Sequence, residues 1–208
     1  MQKGVKFNVN NLQTSDLPDH TDFMVLPWVS LFPGSLLPLY IFEERYRVMT
    51  EKALAGNRIF AIAHCHDDAT LAPIAGLGII RACVVNEDGT SNLVLQGVSR
   101  VEFSKVEMSP RPHGSIRIIS DGAANGDLSE VRANILEVCE GLFHDGLPSS
   151  ESFTSILQGT ISDSGFADLI GSTLIQDPIH RRMVFETIDV GSRMSLILEI
   201  LSSKIEPA

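Results

Sequence analysis

Apolar and polar positions along this chain fall into two textures. Over 22–120 the apolar residues come in short runs, several of them alternating, broken by Gly, Pro and Asp. Over 127–204 they recur every three or four positions, the spacing of one helix face. Strands followed by helices predict an α+β chain with the two kinds of element segregated. The stretch 120–127 (SDGAANGD) is small and turn-forming. The expected units are a loose arm over 1–21, a β-rich unit over 22–120, a linker over 121–126 and a helical unit over 127–208.

In the β-rich unit, 22–26 (DFMVL) predicts a first strand, which Pro27 stops by removing a backbone donor. Pro33-Gly34 marks a turn, and 36–41 predicts an extended, buried connection. A helix is expected over 42–54, with Phe42, Tyr46, Met49 and Ala53 on its apolar side and Gly56-Asn57 at its end. Alternation over 58–65 places Ile59, Ala61 and Ala63 opposite Phe60 and Ile62. The segment 76–85 is apolar on both faces, which predicts a central strand, and 90–97 returns as a hairpin after the turn 86–89. Over 100–108, Val101 and Phe103 share a face but Val106 and Met108 fall out of phase. That odd offset demands a bulge or bend and suits a curved sheet or small barrel. A last strand is expected over 115–120, giving about six strands and one helix.

In the helical unit, Asp127 and Glu130 have capping-box spacing ahead of the apolar face Leu128, Val131, Ile135, Val138 and Leu142. A short helix is expected over 150–157, and another through Phe166, Leu169, Ile170, Thr173 and Leu174. Asp177-Pro178 is a helix start twice over, an acidic cap followed by a proline at the first helical position. Asp189 caps the last helix, whose face is Met194, Ile197, Leu198, Leu201 and Ile205.

Charge and composition narrow the function. The 208 residues hold 16 basic and 26 acidic side chains, a formal net charge of −10. That balance disfavours nonspecific binding to nucleic acid or anionic lipid. RNA binding would need a basic patch gathered from Arg58, Arg81, Arg100 and Arg117. No apolar run approaches the roughly 20 residues of a membrane span, and 1–7 lacks a signal-peptide core, so a cytoplasmic protein without membrane contact is expected. Cys65, Cys83 and Cys139 are too few and too widely spaced for a disulfide framework, and free buried thiols are expected.

No P-loop, dinucleotide fingerprint, nucleophile elbow, HExxH helix or paired CxxC is present. The densest polar cluster is His64-Cys65-His66-Asp67-Asp68. On a strand only His64 and His66 of that cluster point the same way, so a metal or acid–base site needs distant partners such as His20, Cys83 or His113. A strand end entering a polar loop explains the cluster without one. Trp28 reads either as a core anchor or as a platform for a ligand.

The stretch 28–49 (WVSLFPGSLLPLYIFEERYRVM) resembles the signature of the Lon protease N-terminal, or substrate-binding, domain family. The similarity continues through Gly76-Leu77-Gly78, Glu87-Asp88-Gly89 and 93–100 (LVLQGVSR). It reaches the rear helices at Asp168-Leu169-Ile170, 185–190 (FETIDV) and Arg193. It implies a PUA-like six-stranded pseudo-barrel with one helix, followed by a C-terminal helical bundle. It implies structural roles for the signature residues Pro38, Phe42, Glu43, Arg45, Tyr46, Gly78, Gly97 and Arg100. In full Lon proteases ATPase and Ser–Lys protease modules follow this region. A chain ending at Ala208 holds neither, so a stand-alone, noncatalytic member is expected.

The expected function is then binding of unfolded or extended polypeptide segments, with Trp28, Phe32, Pro33, Leu37 and Tyr40 as candidate contacts. No cofactor and no metal is expected. A homodimeric scaffold and a metal-dependent enzyme built on residues 64–68 are the alternatives.

Overall fold

The computed structural model describes residues 17–65, 70–109, 111–121, 126–144 and 162–203, with the backbone alone at 143 and 144. Residues 1–16 of the arm expected over 1–21, residues 66–69, most of the linker and the helix expected over 150–157 lie outside the described residues, and the end of that arm, His20 and Thr21, opens the first strand.

Six strands come first: β1 (His20–Val25), β2 (Leu36–Ile41), β3 (Ile59–Ala63), β4 (Ile74–Val85), β5 (Ser91–Glu107) and β6 (His113–Ile119). Helix α1 (Glu44–Ala55) lies between β2 and β3. The helices α2 (Ser129–His144), α3 (Asp163–Thr173), α4 (Pro178–Glu186) and α5 (Val190–Ser202) follow. The fold is α+β, as the order of textures predicts.

The strands are ordered β2-β5-β4-β3-β1-β6, and β6 also pairs back onto β5. The pairings therefore run in a circuit through β5, β4, β3, β1 and β6, which makes a pseudo-barrel. β2 stands outside that circuit, paired antiparallel to the first half of β5. Alternation sorts the side chains as expected. Ile59, Ala61 and Ala63 join Phe23, Ala75, Leu77, Val101 and Ile116 in the barrel interior. Phe60 and Ile62 face the other way, into a second core with Tyr46 and Met49 of α1 and Leu93 and Leu95 of β5.

The two strands expected over 90–97 and 100–108 are one long strand, β5. The offset after Phe103 is real and is absorbed as expected, by a register shift between Phe103 and Lys105 against β6. A further shift between Leu77 and Gly78 against β5 adds curvature. Because the bulges bend β5, one strand serves β2 at one end and β6 at the other.

Two expectations need correction. Phe42 is not on the buried side of α1; it sits at the end of β2 and is 61% exposed. The segment 36–41 is a strand with an alternating pattern, not a buried connection. Leu36, Pro38 and Tyr40 are exposed, whereas Leu37 and Leu39 pack toward α1.

The signature loop explains its glycines. Leu31 and Phe32 are fully buried and run directly over the sheet. A Cβ on Gly76 would stand 2.3 Å from the Leu31 carbonyl oxygen, and one on Gly97 2.0 Å from that of Phe32. Only glycine permits this approach. Gly97 N–H then donates to the Ser35 carbonyl at 2.9 Å, and Gly34 N–H to the Gly97 carbonyl at 2.9 Å. The loop thereby carries Phe32 across to the helical core, where its ring meets Phe185 edge-on at 5.2 Å.

The helices start where the sequence caps them. Asp177 accepts a hydrogen bond from His180 N–H at 2.8 Å, with Pro178 opening α4. Asp189 accepts from Ser192 N–H at 2.8 Å at the start of α5. Asp127 accepts from Ser129 N–H at 2.9 Å ahead of α2. The faces of α2 through α5 close around Ile135, Phe166, Ile170, Val184, Met194, Ile197 and Leu201.

Candidate functional site

Two features stand out: a buried ionic joint between barrel and helices, and an open apolar face beside it on the sheet.

The joint centres on Arg100 of β5 and Arg193 of α5, 1% and 0% exposed. Arg100 makes a two-pronged pair with Asp168 of α3, Nη2 to Oδ1 at 2.6 Å and Nη1 to Oδ2 at 3.0 Å. Its Nε donates to the Phe185 carbonyl at 2.8 Å, tying β5 to the end of α4. Arg193 shares the same carboxylate, Nη1 to Asp168 Oδ1 at 2.7 Å, and donates to the carbonyls of Thr187 and Ile188 at 2.8 and 2.9 Å. Asp121, just after β6, completes the set by accepting from Arg193 and Ser164. Burial pushes the Asp121 carboxyl up, but the hydrogen bonds from Ser164 and Arg193 outweigh it and hold the group below its ordinary range. Two arginines against two aspartates balance, and every guanidinium nitrogen of the pair donates a hydrogen bond. The cluster ties β5, α3, α4 and α5 into one charge-balanced joint.

His64 lies beside this joint at the end of β3. It is 1% exposed, with Nε2 at 2.7 Å from Glu186 Oε1 and its ring edge-on to Phe185. It thus bridges the barrel to α4. His66, Asp67 and Asp68 lie outside the described residues. The distant partners do not gather around His64: His20 contacts Ser115, and His113 contacts the Arg111 carbonyl and Glu107. Among the described residues no three His, Cys, Asp or Glu side chains are grouped so as to hold a metal ion. The described residues contain three free cysteines, and burial pushes the Cys139 thiol up to about 11.

The four arginines of a would-be basic patch have separate duties. Arg58 donates to the Ile80 carbonyl, Arg81 to Gln96 and Arg117 to Glu102, while Arg100 is inside the joint.

The open face is built by β2, the first half of β5 and the second half of β4. Register places Tyr40, Asn92 and Val84 in one row across the three strands, and Pro38, Val94 and Ala82 in the next. Direct cross-strand partners share a face. The opposite side of these strands is committed to the α1 core through Leu37, Leu39, Leu93 and Leu95. The open side leaves Leu36 63%, Tyr40 55%, Phe42 61% and Val84 65% exposed. The Tyr40 and Phe42 rings stack at 6.0 Å with 25° between their planes. Among the described residues β2 pairs only with β5, so its other edge has no strand beside it. Pro38, which has no N–H to offer, fits such an edge.

The five candidate contacts are dispersed. Tyr40 lies on the open face, and Trp28 is 57% exposed in the loop after β1. Leu37 is half-buried toward α1, and Pro33 lines a small cleft over Arg100 and Asp121. Phe32 is wholly buried and has no surface to present. Of the signature residues, Tyr46 is buried, Arg45 pairs with Glu43 at 2.8 Å, and a Cβ on Gly78 would collide with Leu95. Sequence reasoning did not single out Leu36 or Val84. Their only signal was position, on the outward parity of an edge strand.

Comparison with known proteins agrees with this architecture. Residues 22–203 match the family described as the ATP-dependent protease La (LON) substrate-binding domain. The chain is 24% identical over 207 residues to the Lon protease of Desulfosudis oleivorans, covering 94% of this chain and 25% of that protein. It is 25% identical over 193 residues to Lon protease 2 of Herpetosiphon aurantiacus, covering 88% and 24%. It therefore spans about a quarter of the length of these relatives. Among solved structures, the N-terminal domain of Mycobacterium avium complex Lon protease superposes with a TM-score of 0.74 at 15% identity, over 88% of this chain and 98% of that one. The Lon N-terminal domain protein from Xanthomonas campestris gives 0.64 at 17% identity, over 86% and 97%. A match running from the first strand to the last described helix leaves one conclusion: the chain belongs to the Lon substrate-binding domain family.

Proposed function

We propose that the chain is a noncatalytic module that binds unfolded or extended polypeptide, and that it does so on the open face of β2, β5 and β4. The observation that carries this is Leu36 and Tyr40 on an edge strand and Phe42 just past its end, each more than half exposed, with Val84 across the sheet. Large apolar side chains gathered on one exposed face are what a binding surface offers and a monomer ordinarily buries. An extended segment laid beside β2 covers these side chains and meets an edge that no described strand pairs with. The family is described by substrate binding, and the relatives are proteases, whose substrates are polypeptides. The buried joint supports the same reading, because it fixes the barrel against the helices and holds the face in place. Trp28 is a secondary contact in this reading, whereas Leu37 faces the α1 core on the other side of β2 and Phe32 is wholly buried, so neither meets the segment.

The test is equilibrium binding of a fluorescent, permanently unfolded model protein, with the same protein folded as control. The unfolded form is expected to bind and the folded one not. Tyr40→Ser with Phe42→Ser is expected to weaken binding at least about tenfold, as loss of two aromatic contacts implies. Circular dichroism verifies that the variant is folded. Undiminished binding by the folded variant contradicts the proposed face.

A further inference from the structure

The open face has a charged end. Ile41 and Val85 both pair with Ser91, so the end of β2 and the end of β4 meet at the β4–β5 hairpin. Phe42 leads there directly into Glu43 and Glu44, and Val85 into Glu87 and Asp88. The Thr90 hydroxyl and N–H both donate to Asp88 and hold its carboxyl below its ordinary range. Two cations lie close by and offset part of this charge. Arg45 pairs with Glu43 and lies 4.5 Å from the Tyr46 ring centre. Arg47 packs against the hairpin glycine, where a Cβ on Gly89 would stand 1.9 Å from its Nη2, and its charge helps to hold the Asp88 carboxyl down. Glu44 and Glu87 are exposed, and among the described residues neither forms an ion pair. The opposite end of the face carries Arg81, bonded to Gln96. The strand ends at Phe42 and Val84 thus run into four acidic residues. Glu43 is paired with Arg45 and Asp88 is offset by Arg47, so among the described residues Glu44 and Glu87 supply the uncompensated charge at this end, on a chain with a net charge of −10.

Resting on the proposed polypeptide binding, we infer that the face selects extended segments in which apolar residues are followed by Lys or Arg, with the cation seated at the hairpin end. Two attractions favour it. A cation over the face of Tyr40 or Phe42 is drawn by the ring quadrupole, and Glu44 and Glu87 add a field of the same sense. A segment flanked by Asp or Glu meets repulsion from the same groups. The apolar residues of the segment cover Leu36, Pro38 and Val84 while the cation remains in contact with water. The buried desolvation penalty that weakens interior ion pairs therefore does not apply.

The experiment uses three labelled peptides sharing one apolar, aromatic-containing stretch and differing only in flanks of Lys, Ser or Glu. Fluorescence anisotropy against the full chain at low salt is expected to rank them Lys, Ser, Glu, with about tenfold or more between first and last. Raising the salt to about 0.5 M is expected to shrink that ratio to about twofold, since exposed charges are screened. Glu44→Gln with Glu87→Gln is expected to remove most of the Lys preference while leaving the Ser-flanked affinity unchanged. Equal binding of all three peptides, or tighter binding of the Glu-flanked one, overturns the charge selection and leaves polypeptide binding standing. A Lys preference that survives the double Gln variant overturns the seat at the hairpin end. Absence of binding by any peptide overturns both readings.

Discussion

Asp168 is the residue on which the barrel–helix joint turns, because two buried arginines share its carboxylate. Asp168→Asn removes the negative charge between them and leaves buried guanidinium groups under-compensated. It is expected to lower stability by about 3–5 kcal/mol, read as a drop in the urea midpoint. Asp121 acts differently, since its side chain is 27% exposed. Its folded-state carboxyl is held below the ordinary 3.8, so it contributes stability above that value and loses it as pH falls through the depressed one. The wild-type chain is therefore expected to lose stability steadily below about pH 4. Asp121→Asn is expected to be less stable at neutral pH and to show a shallower acid limb. Cys139, with its thiol pushed up to about 11, is expected to resist alkylation in the folded chain while half-buried Cys65 reacts, checked by peptide mass spectrometry. These residues were only partly legible in the sequence. Arg100, Asp168 and Arg193 stood out as parts of a family resemblance, but nothing in their spacing said that they meet. A pairing across 68 positions is made by tertiary packing, which local pattern does not encode.

Element by element, legibility followed how local the deciding physics was. The caps at Asp177 and Asp189 are settled within four residues, and both appear where an acidic residue precedes a helical pattern. Asp189→Ala is expected to cost about 1 kcal/mol in a thermal or urea melt. The slip in β5 was legible for the same reason: parity along one strand reports a bulge directly. The split of β5 into two strands was an error of continuity, because a bulged strand and a pair of short ones have the same local pattern. Phe42 misled because it fits both the end of an edge strand and the start of the following helix by spacing, and only the fold decides. The glycine track shows the opposite case, in which the cause lies in a distant segment. Gly97→Ala would bring a Cβ to 2.0 Å from the Phe32 carbonyl oxygen and is expected to destabilise by about 2 kcal/mol or more, measured by urea unfolding.

At the scale of the molecule, the barrel and the helices are joined by Phe32, His64, Arg100, Asp168 and Arg193, all buried. The outward side of β2 takes no part in that joint. The fold class and the order of its parts were readable from hydrophobic period alone. The face was not, because an exposed apolar row and a buried one have identical sequence patterns until the sheet order is known. The central claim is that this face holds extended polypeptide. Hydrogen–deuterium exchange with a permanently unfolded model protein tests it most directly. The account predicts slowed exchange confined to peptides spanning 36–42 and 82–94, with the buried joint unchanged. Protection elsewhere with none over 36–42 would contradict it.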